Sequence, residues 1–334
     1  MSAQLLAVYE PISELLRQTE RIIQKALLST SERNVARICQ HILQGTGKRI
    51  RPAIVFFSYQ ALRPNSEVPE SVCKIAAAIE LIHMASLVHD DIIDLADSRH
   101  GQPSVQAKFG QPQAIAIGVF LYSIALQLIA EVGNNQVLTV ISQRVEDLCK
   151  GEIAQISERG NFTLSAHAYL DILDNKTAAL FKAASVSGAI LAGANSNNPD
   201  GFEKFGYDLG MLFQLTDDFM DIMSSESDLG KHPGQDLFLE ELTVPVMLIL
   251  QSVSVADRMA LLTRIKQKDV TIFPELKRLF IEKELAKEIQ NYLHSYIESA
   301  RTDLKYLPDT PGKSGLLALV GLVADRIGLT AKPS

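Results

Sequence analysis

Two short acidic runs hold the residues whose types and spacing could do chemistry. His89-Asp90-Asp91-Ile92-Ile93-Asp94 recurs in form as Thr216-Asp217-Asp218-Phe219-Met220-Asp221. On a helix, Asp90 lies one turn from Asp94, and Asp217 one turn from Asp221, so each pair shares a face. Like charges at that spacing repel. Their flanks are apolar, with Val88, Ile92 and Ile93 around the first run and Phe213, Leu215 and Phe219 around the second. One such run could be an acid-rich helix end, but two matched copies call for a cation. Carboxylates without His or Cys in the ligand set suit Mg²⁺ rather than Zn²⁺. Mg²⁺ keeps several waters and binds substrate phosphates, so a phosphate ester is the expected second half of the site.

Basic residues supply the complement. Gly45-Thr46-Gly47-Lys48-Arg49-Ile50-Arg51-Pro52 sets Lys48 and Arg51 three apart at the start of a helix, whose N-terminal amides also favour an anion. Arg99 and His100 follow the first acidic run, Lys231 follows the second, and Lys176-Thr177 lies between them. Each alone reads as a solvated surface charge. Gathered around two metal-binding motifs, they describe a site for two diphosphates, one bridged by metal and one held by Lys and Arg.

The elements that must position these residues are helices. Ala77, Leu81, Met84, Val88 and Ile92 recur at steps of three and four, as do Val145, Cys149, Ile153 and Ile156, and Phe205, Leu209, Leu212 and Leu215. Only Val270–Phe273 reads as a strand. Turn-forming Pro, Gly and Asn divide the chain into about ten helices, with no linker or composition shift. The expectation is one all-α domain spanning residues 1–334. The uncharged stretch Ala114–Ala130 is short for a membrane span and contains Gly118, Ser123 and Gln127. It reads as a helix buried on every side in the centre of a bundle, and no transmembrane segment is expected.

Composition narrows the function. The 334 residues are 47% hydrophobic with a formal net charge of -7, which argues against nucleic-acid binding. A chain this long builds a core without disulfides. Cys39, Cys73 and Cys149 read as small core residues of a reducing compartment. The N-terminal MSAQLLAVYEPISELLRQTE acquires acid and amide side chains too early for a secretory signal, so a cytoplasmic location is expected.

With these residues in place, the chain resembles the trans-isoprenyl diphosphate synthases, or polyprenyl synthetases. The likeness rests on GTGKRIRP (Gly45–Pro52), ELIHMASLVHDDIID (Glu80–Asp94), the Arg99 turn, NKTAALF (Asn175–Phe181) and FQLTDDFMD (Phe213–Asp221) followed by LGKHPGQDL. It runs to Pro245, with weaker agreement through Leu307-Pro308. The resemblance implies an all-α barrel of antiparallel helices around a deep central cavity, commonly a homodimer. It implies that Asp90, Asp94 and Asp217, supported by Asp91, Asp218 and Asp221, hold a magnesium cluster on an allylic diphosphate. Arg99, Lys176 and Lys231 would contact the same group. Lys48, Arg51 and His83 would bind isopentenyl diphosphate, with His100 as a further contact, and Thr177 and Gln214 would line the reaction centre.

The resemblance also speaks to product length. Short-chain members place bulky aromatics four or five residues before the first aspartate, whereas Ser86 and Ala85 stand there in this chain. A long product is implied, with Phe120 or Tyr122 as a deeper stop, although small residues also allow close helix packing. Four positions depart from the family pattern: His100 for the second Arg of Arg-Arg-Gly, Val119 for the Asp of Gly-Asp, Gln106 for an Asn, and Glu241 for a third lysine. Beside an active synthase stand two rivals, the first kept alive by these departures and the second by the first acidic motif, which terpene cyclases share. One is a silent or weak regulatory subunit in a heteromer; the other is a class I terpene cyclase, which would not need the Lys48 and Arg51 site.

Overall fold

The computed structural model describes residues 3–45, 47–99, 101–194, 200–223 and 235–328. They are almost wholly helical. In chain order the first helices are α1 (Ala3–Tyr9), α2 (Ser13–Leu28), α3 (Arg33–Leu43), α4 (Ile50–Leu62), α5 (Glu70–Ile93), α6 (Val105–Phe109), α7 (Gln111–Val132) and α8 (Asn135–Ser157). There follow α9 (Ala166–Leu173), α10 (Ala179–Leu191) and α11 (Asp200–Met223), with further helices at Gln235–Phe238, Val244–Ser252, Val255–Lys266, Phe273–Glu282, Ala286–Asp303 and Pro311–Asp325. These outnumber the ten or so expected, because several are short. The strand reading of Val270–Phe273 is corrected. Val270–Ile272 is a 3₁₀ turn, in which Asp269 accepts from the Thr271 backbone N–H. A four-residue apolar run carries too little period to separate the two states. The described strands are two-residue pieces, Ser98–Arg99 paired antiparallel with Gln102–Pro103.

The chain divides into two compact units. The first comprises Met1–Val145, Leu180–Gly206 and Asp303–Leu319. Helix α5 is its axis, apolar on most sides and packed against α2, α4 and α7. Small residues let these helices approach closely. A Cβ on Gly188 of α10 would lie 2.3 Å from the Val55 carbonyl oxygen of α4, and one on Gly312 would lie 2.1 Å from the Ala61 nitrogen. The second unit comprises Glu146–Ala179, Tyr207–Thr302 and Val320–Ser334. Within it Val244–Ser252 packs against α9, Val255–Lys266 and Phe273–Glu282.

Two burial expectations are corrected, for α7 and for Cys149. Helix α7 is long and apolar enough to cross a membrane by length and composition, but it is not enclosed. One side lies on α5, while Ile115, Val119 and Leu126 stand 49%, 58% and 55% exposed. Along α8, Ile153 and Ile156 are also exposed, so the helical period there was sound but the face it marks lies on the surface. Cys39 and Cys73 are buried as expected, whereas Cys149 is exposed. Burial pushes the Cys39 and Cys73 thiols up to about 11, which keeps them protonated and chemically quiet at neutral pH.

Candidate active site

The first acidic motif stands at the C-terminal end of its helix. Helix α5 ends at Ile93 with Asp94 as its cap, and the Asp94 N–H donates to the Asp90 carbonyl at 2.8 Å. The second motif lies on α11, where Asp218 and Asp221 are buried. The last carbonyls of a helix carry partial negative charge, so anionic side chains there are disfavoured unless a cation joins them. Carboxylate oxygen alone is the donor type that suits Mg²⁺, while among the described residues no three His, Cys, Asp or Glu side chains converge on one metal position.

The second aspartate of each motif is engaged by the protein. Asp91 is buried and accepts from Arg99 Nε at 2.7 Å. Burial raises its carboxyl above the ordinary value, against the pull of the Arg99 charge. Gln106 donates to the backbone carbonyls of Asp91 and Ala96, closing the turn after α5. In the other unit Asp218 is buried and accepts from Tyr169 Oη at 2.6 Å and from Gln214 Nε2 at 2.9 Å. Thr177 Oγ1 donates to Gln214 Oε1 at 3.0 Å, so the two residues expected at the reaction centre share one network. Asp217 faces Arg326 Nη1 at 2.6 Å.

Lys176 and Thr177 lie in a π-helical turn, Asp174–Ala178, between α9 and α10. Such widened turns concentrate at functional sites. Lys176 Nζ pairs with Glu152 Oε2 of α8 at 2.7 Å. Close approach of α8 to the turn depends on Gly151, where a Cβ would stand 2.4 Å from the Lys176 nitrogen.

The expected isopentenyl diphosphate residues lie in the first unit. Helix α4 begins at Ile50, so Lys48 just precedes it and Arg51 is in its first turn, as the sequence predicts. The Arg51 guanidinium stacks over the Phe181 ring, 4.8 Å from its centroid. His83 lies on α5, where Ser86 Oγ donates to its carbonyl. Ala85 and Ser86 are both buried. His100 and Lys231 lie outside the described residues.

Sequence reasoning missed Tyr169, Glu152, Arg326 and Arg159. Each meets its partner from a distant segment, and no local spacing marks such a pair. Arg159 settles the state of Glu241. The Glu241 carboxylate accepts from Arg159 at 2.8 Å and 2.7 Å and also from Gln155. Where the family pattern has a lysine, this chain has a buried ion pair.

Fold and site together define an all-α isoprenyl diphosphate synthase. The model of the family described as Polyprenyl synthetase matches residues 32–279, and the chain belongs to that family. It is 36% identical over 279 residues to the heptaprenyl diphosphate synthase component 2 of Geobacillus stearothermophilus, covering 80% of this chain and 86% of the relative. It is 32% identical over 324 residues to the octaprenyl diphosphate synthase of Escherichia coli, covering 95% and 98%. A polyprenyl synthase of Caulobacter crescentus, solved with calcium and isoprenyl diphosphate, superposes with a TM-score of 0.87 at 26% identity and 95% coverage of both chains. The matches identify a prenyltransferase and do not favour the regulatory reading.

Breaking a buried ion pair by removing one partner costs about 3–5 kcal/mol. Glu241→Lys, which restores the family residue beside Arg159, is therefore expected to lower the urea midpoint markedly. Adding Arg159→Glu should recover much of the loss; equal stability of Glu241→Lys and the parent would show that the pair contributes little.

Proposed function

We propose that the protein condenses isopentenyl diphosphate with an allylic prenyl diphosphate, head to tail and trans, to give a long-chain polyprenyl diphosphate. The observation that carries this reading is a pair of matched carboxylate motifs on helices, each with its second aspartate buried and hydrogen-bonded, in a chain of the polyprenyl synthetase family. Mg²⁺, when bound, supplies the positive charge that stabilises the departing diphosphate. Asp90, Asp91 and Asp94 of the first motif and Asp217, Asp218 and Asp221 of the second are the carboxylates that would serve as its ligands.

The chain's own residues do the rest. Arg99, Lys176 and Lys231 bind the allylic diphosphate and stabilise the negative charge it gains as the carbon–oxygen bond breaks. Asp91 orients Arg99, and Glu152 orients Lys176. Lys48, Arg51 and His83, with His100, bind isopentenyl diphosphate. Its double bond attacks the allylic cation, and a proton then leaves to the released diphosphate. Thr177 and Gln214 face the reacting carbons, and apolar walls keep out the water that would quench the cation. Small Ala85 and Ser86 leave room for a long product. Heptaprenyl and octaprenyl synthases among the relatives support that length.

The chain works in the cytoplasm as a single functional domain and as a homodimer. The open apolar side of α7, lined by Ile115, Val119 and Leu126, supports a partner surface. The relative named component 2 supports a heteromeric assembly as the second reading.

Purified protein incubated alone with Mg²⁺, labelled isopentenyl diphosphate and farnesyl diphosphate should yield long prenyl products. Cyclised hydrocarbons would point to a cyclase, and no turnover to a silent subunit. Asp90→Ala and Asp217→Ala should each abolish turnover with the helical circular-dichroism signal intact; activity retained in both would remove the central claim. Ala85→Phe should shorten the products, and an unchanged ladder on thin-layer chromatography would sink the role of that position. Val119→Glu should convert a dimer to a monomer in sedimentation; an unchanged mass would exclude the α7 face as the contact.

A further inference from the structure

Resting on the reading of Lys48, Arg51 and His83 as the isopentenyl diphosphate subsite, we infer that Arg49 and Glu80 are positioning residues that set its geometry. Arg49 follows Lys48 directly, two residues before Arg51, but its side chain points elsewhere. Nη1 donates to Glu80 Oε1 at 2.8 Å, and Nε donates to Glu20 of α2. The Arg49 and Glu80 side chains are only 12% and 4% exposed. A charge buried to this degree persists only when it is paired.

The backbone bends to allow the contact. Arg49 caps α4 in the left-handed region, at φ 53° and ψ 35°, a conformation that costs a non-glycine residue about 1–2 kcal/mol. Gly47 makes room for the guanidinium, because a Cβ there would stand 2.3 Å from Arg49 Nη1. Tyr9 Oη donates to the Lys48 carbonyl at 2.8 Å. Burial and the Glu80 charge both raise that phenol above its ordinary value, so it stays a donor. Helices α1, α2 and α5 thus converge on residues 47–49.

The register explains what the convergence does. Glu80 precedes His83 by three residues on α5, about one turn. The ion pair therefore ties the start of α4, with Lys48 and Arg51, to the turn of α5 that bears His83. Three ligands from two helices are held in one relative position by a bond that touches none of them. A displacement of about 1 Å at such a site is enough to cost up to a hundredfold.

The test measures Arg49→Gln and Glu80→Gln in the full chain, with the double variant as the paired-neutral control. Steady-state turnover is expected to show KM for isopentenyl diphosphate rising about tenfold or more. KM for the allylic diphosphate should stay within about twofold. The Kd for isopentenyl diphosphate, titrated calorimetrically without an allylic substrate, should rise in step, and the double variant should recover part of the loss. A lowered melting temperature with unchanged isopentenyl diphosphate Kd overturns the inference, as does an equal rise in both KM values. If Arg49→Gln does not fold, Glu20→Gln, which removes only the outer carboxylate, is read by the same titration. Should the parent bind isopentenyl diphosphate without turning over, the functional reading fails while the Kd series still decides the inference.

Discussion

The interaction on which the rest depends is electrostatic: carboxylates set into apolar helices, one group of them where α5 presents its negative end. Helix α5 terminates beside its aspartates, so side-chain charge and backbone dipole add rather than cancel there. Such an end is tolerable only with positive charge supplied from elsewhere. The protein supplies part of it to the second aspartate of one motif through Arg99. In the other, neutral donors from Tyr169 and Gln214 serve the same position. The negative charge those groups leave is what the proposed metal and diphosphate would meet. An acidic protein can in this way be built to hold an anion.

Buried ion pairs are costly to assemble and add little net stability compared with apolar replacements. Here they sit beside expected ligands: Arg49–Glu80 next to Lys48 and His83, and Glu152 on Lys176 itself. Their value is direction. An apolar contact slides, whereas a charged hydrogen bond holds a definite angle and distance. Arg159–Glu241 belongs to the same class and shows how a charge-reversing departure is absorbed. A carboxylate that reads in isolation as a liability near a diphosphate is neutralised by its own partner.

Local features of the site were legible. The acidic motifs, the start of α4 and the helical period all depend on residues within one or two turns of each other, where spacing maps directly onto geometry. Family resemblance placed Thr177 and Gln214 at one reaction centre, but their hydrogen bond to each other came only with the structure. Burial was less legible, because periodicity says which residues share a face and not what that face meets. Ile153, Ile156 and Cys149 keep a helical spacing yet lie at the surface, and α7 is apolar on a side that this chain leaves open. The pairings of Tyr169 with Asp218, and of Arg326 with Asp217, join segments too far apart for any local pattern to announce.

The π-helical turn at Asp174–Ala178 has a consequence for how this sequence tolerates insertion and deletion. An α-helix advances about 100° per residue, and a π turn absorbs one residue more than an α turn. Deleting a single residue there would leave the composition almost unchanged and could relax the backbone into an ordinary helix. It would also swing Lys176 and Thr177 about a quarter-turn relative to α9, away from Glu152 and Gln214. Over evolutionary time this short stretch should accept substitutions more readily than changes in length, for its residue count is what aims the side chains.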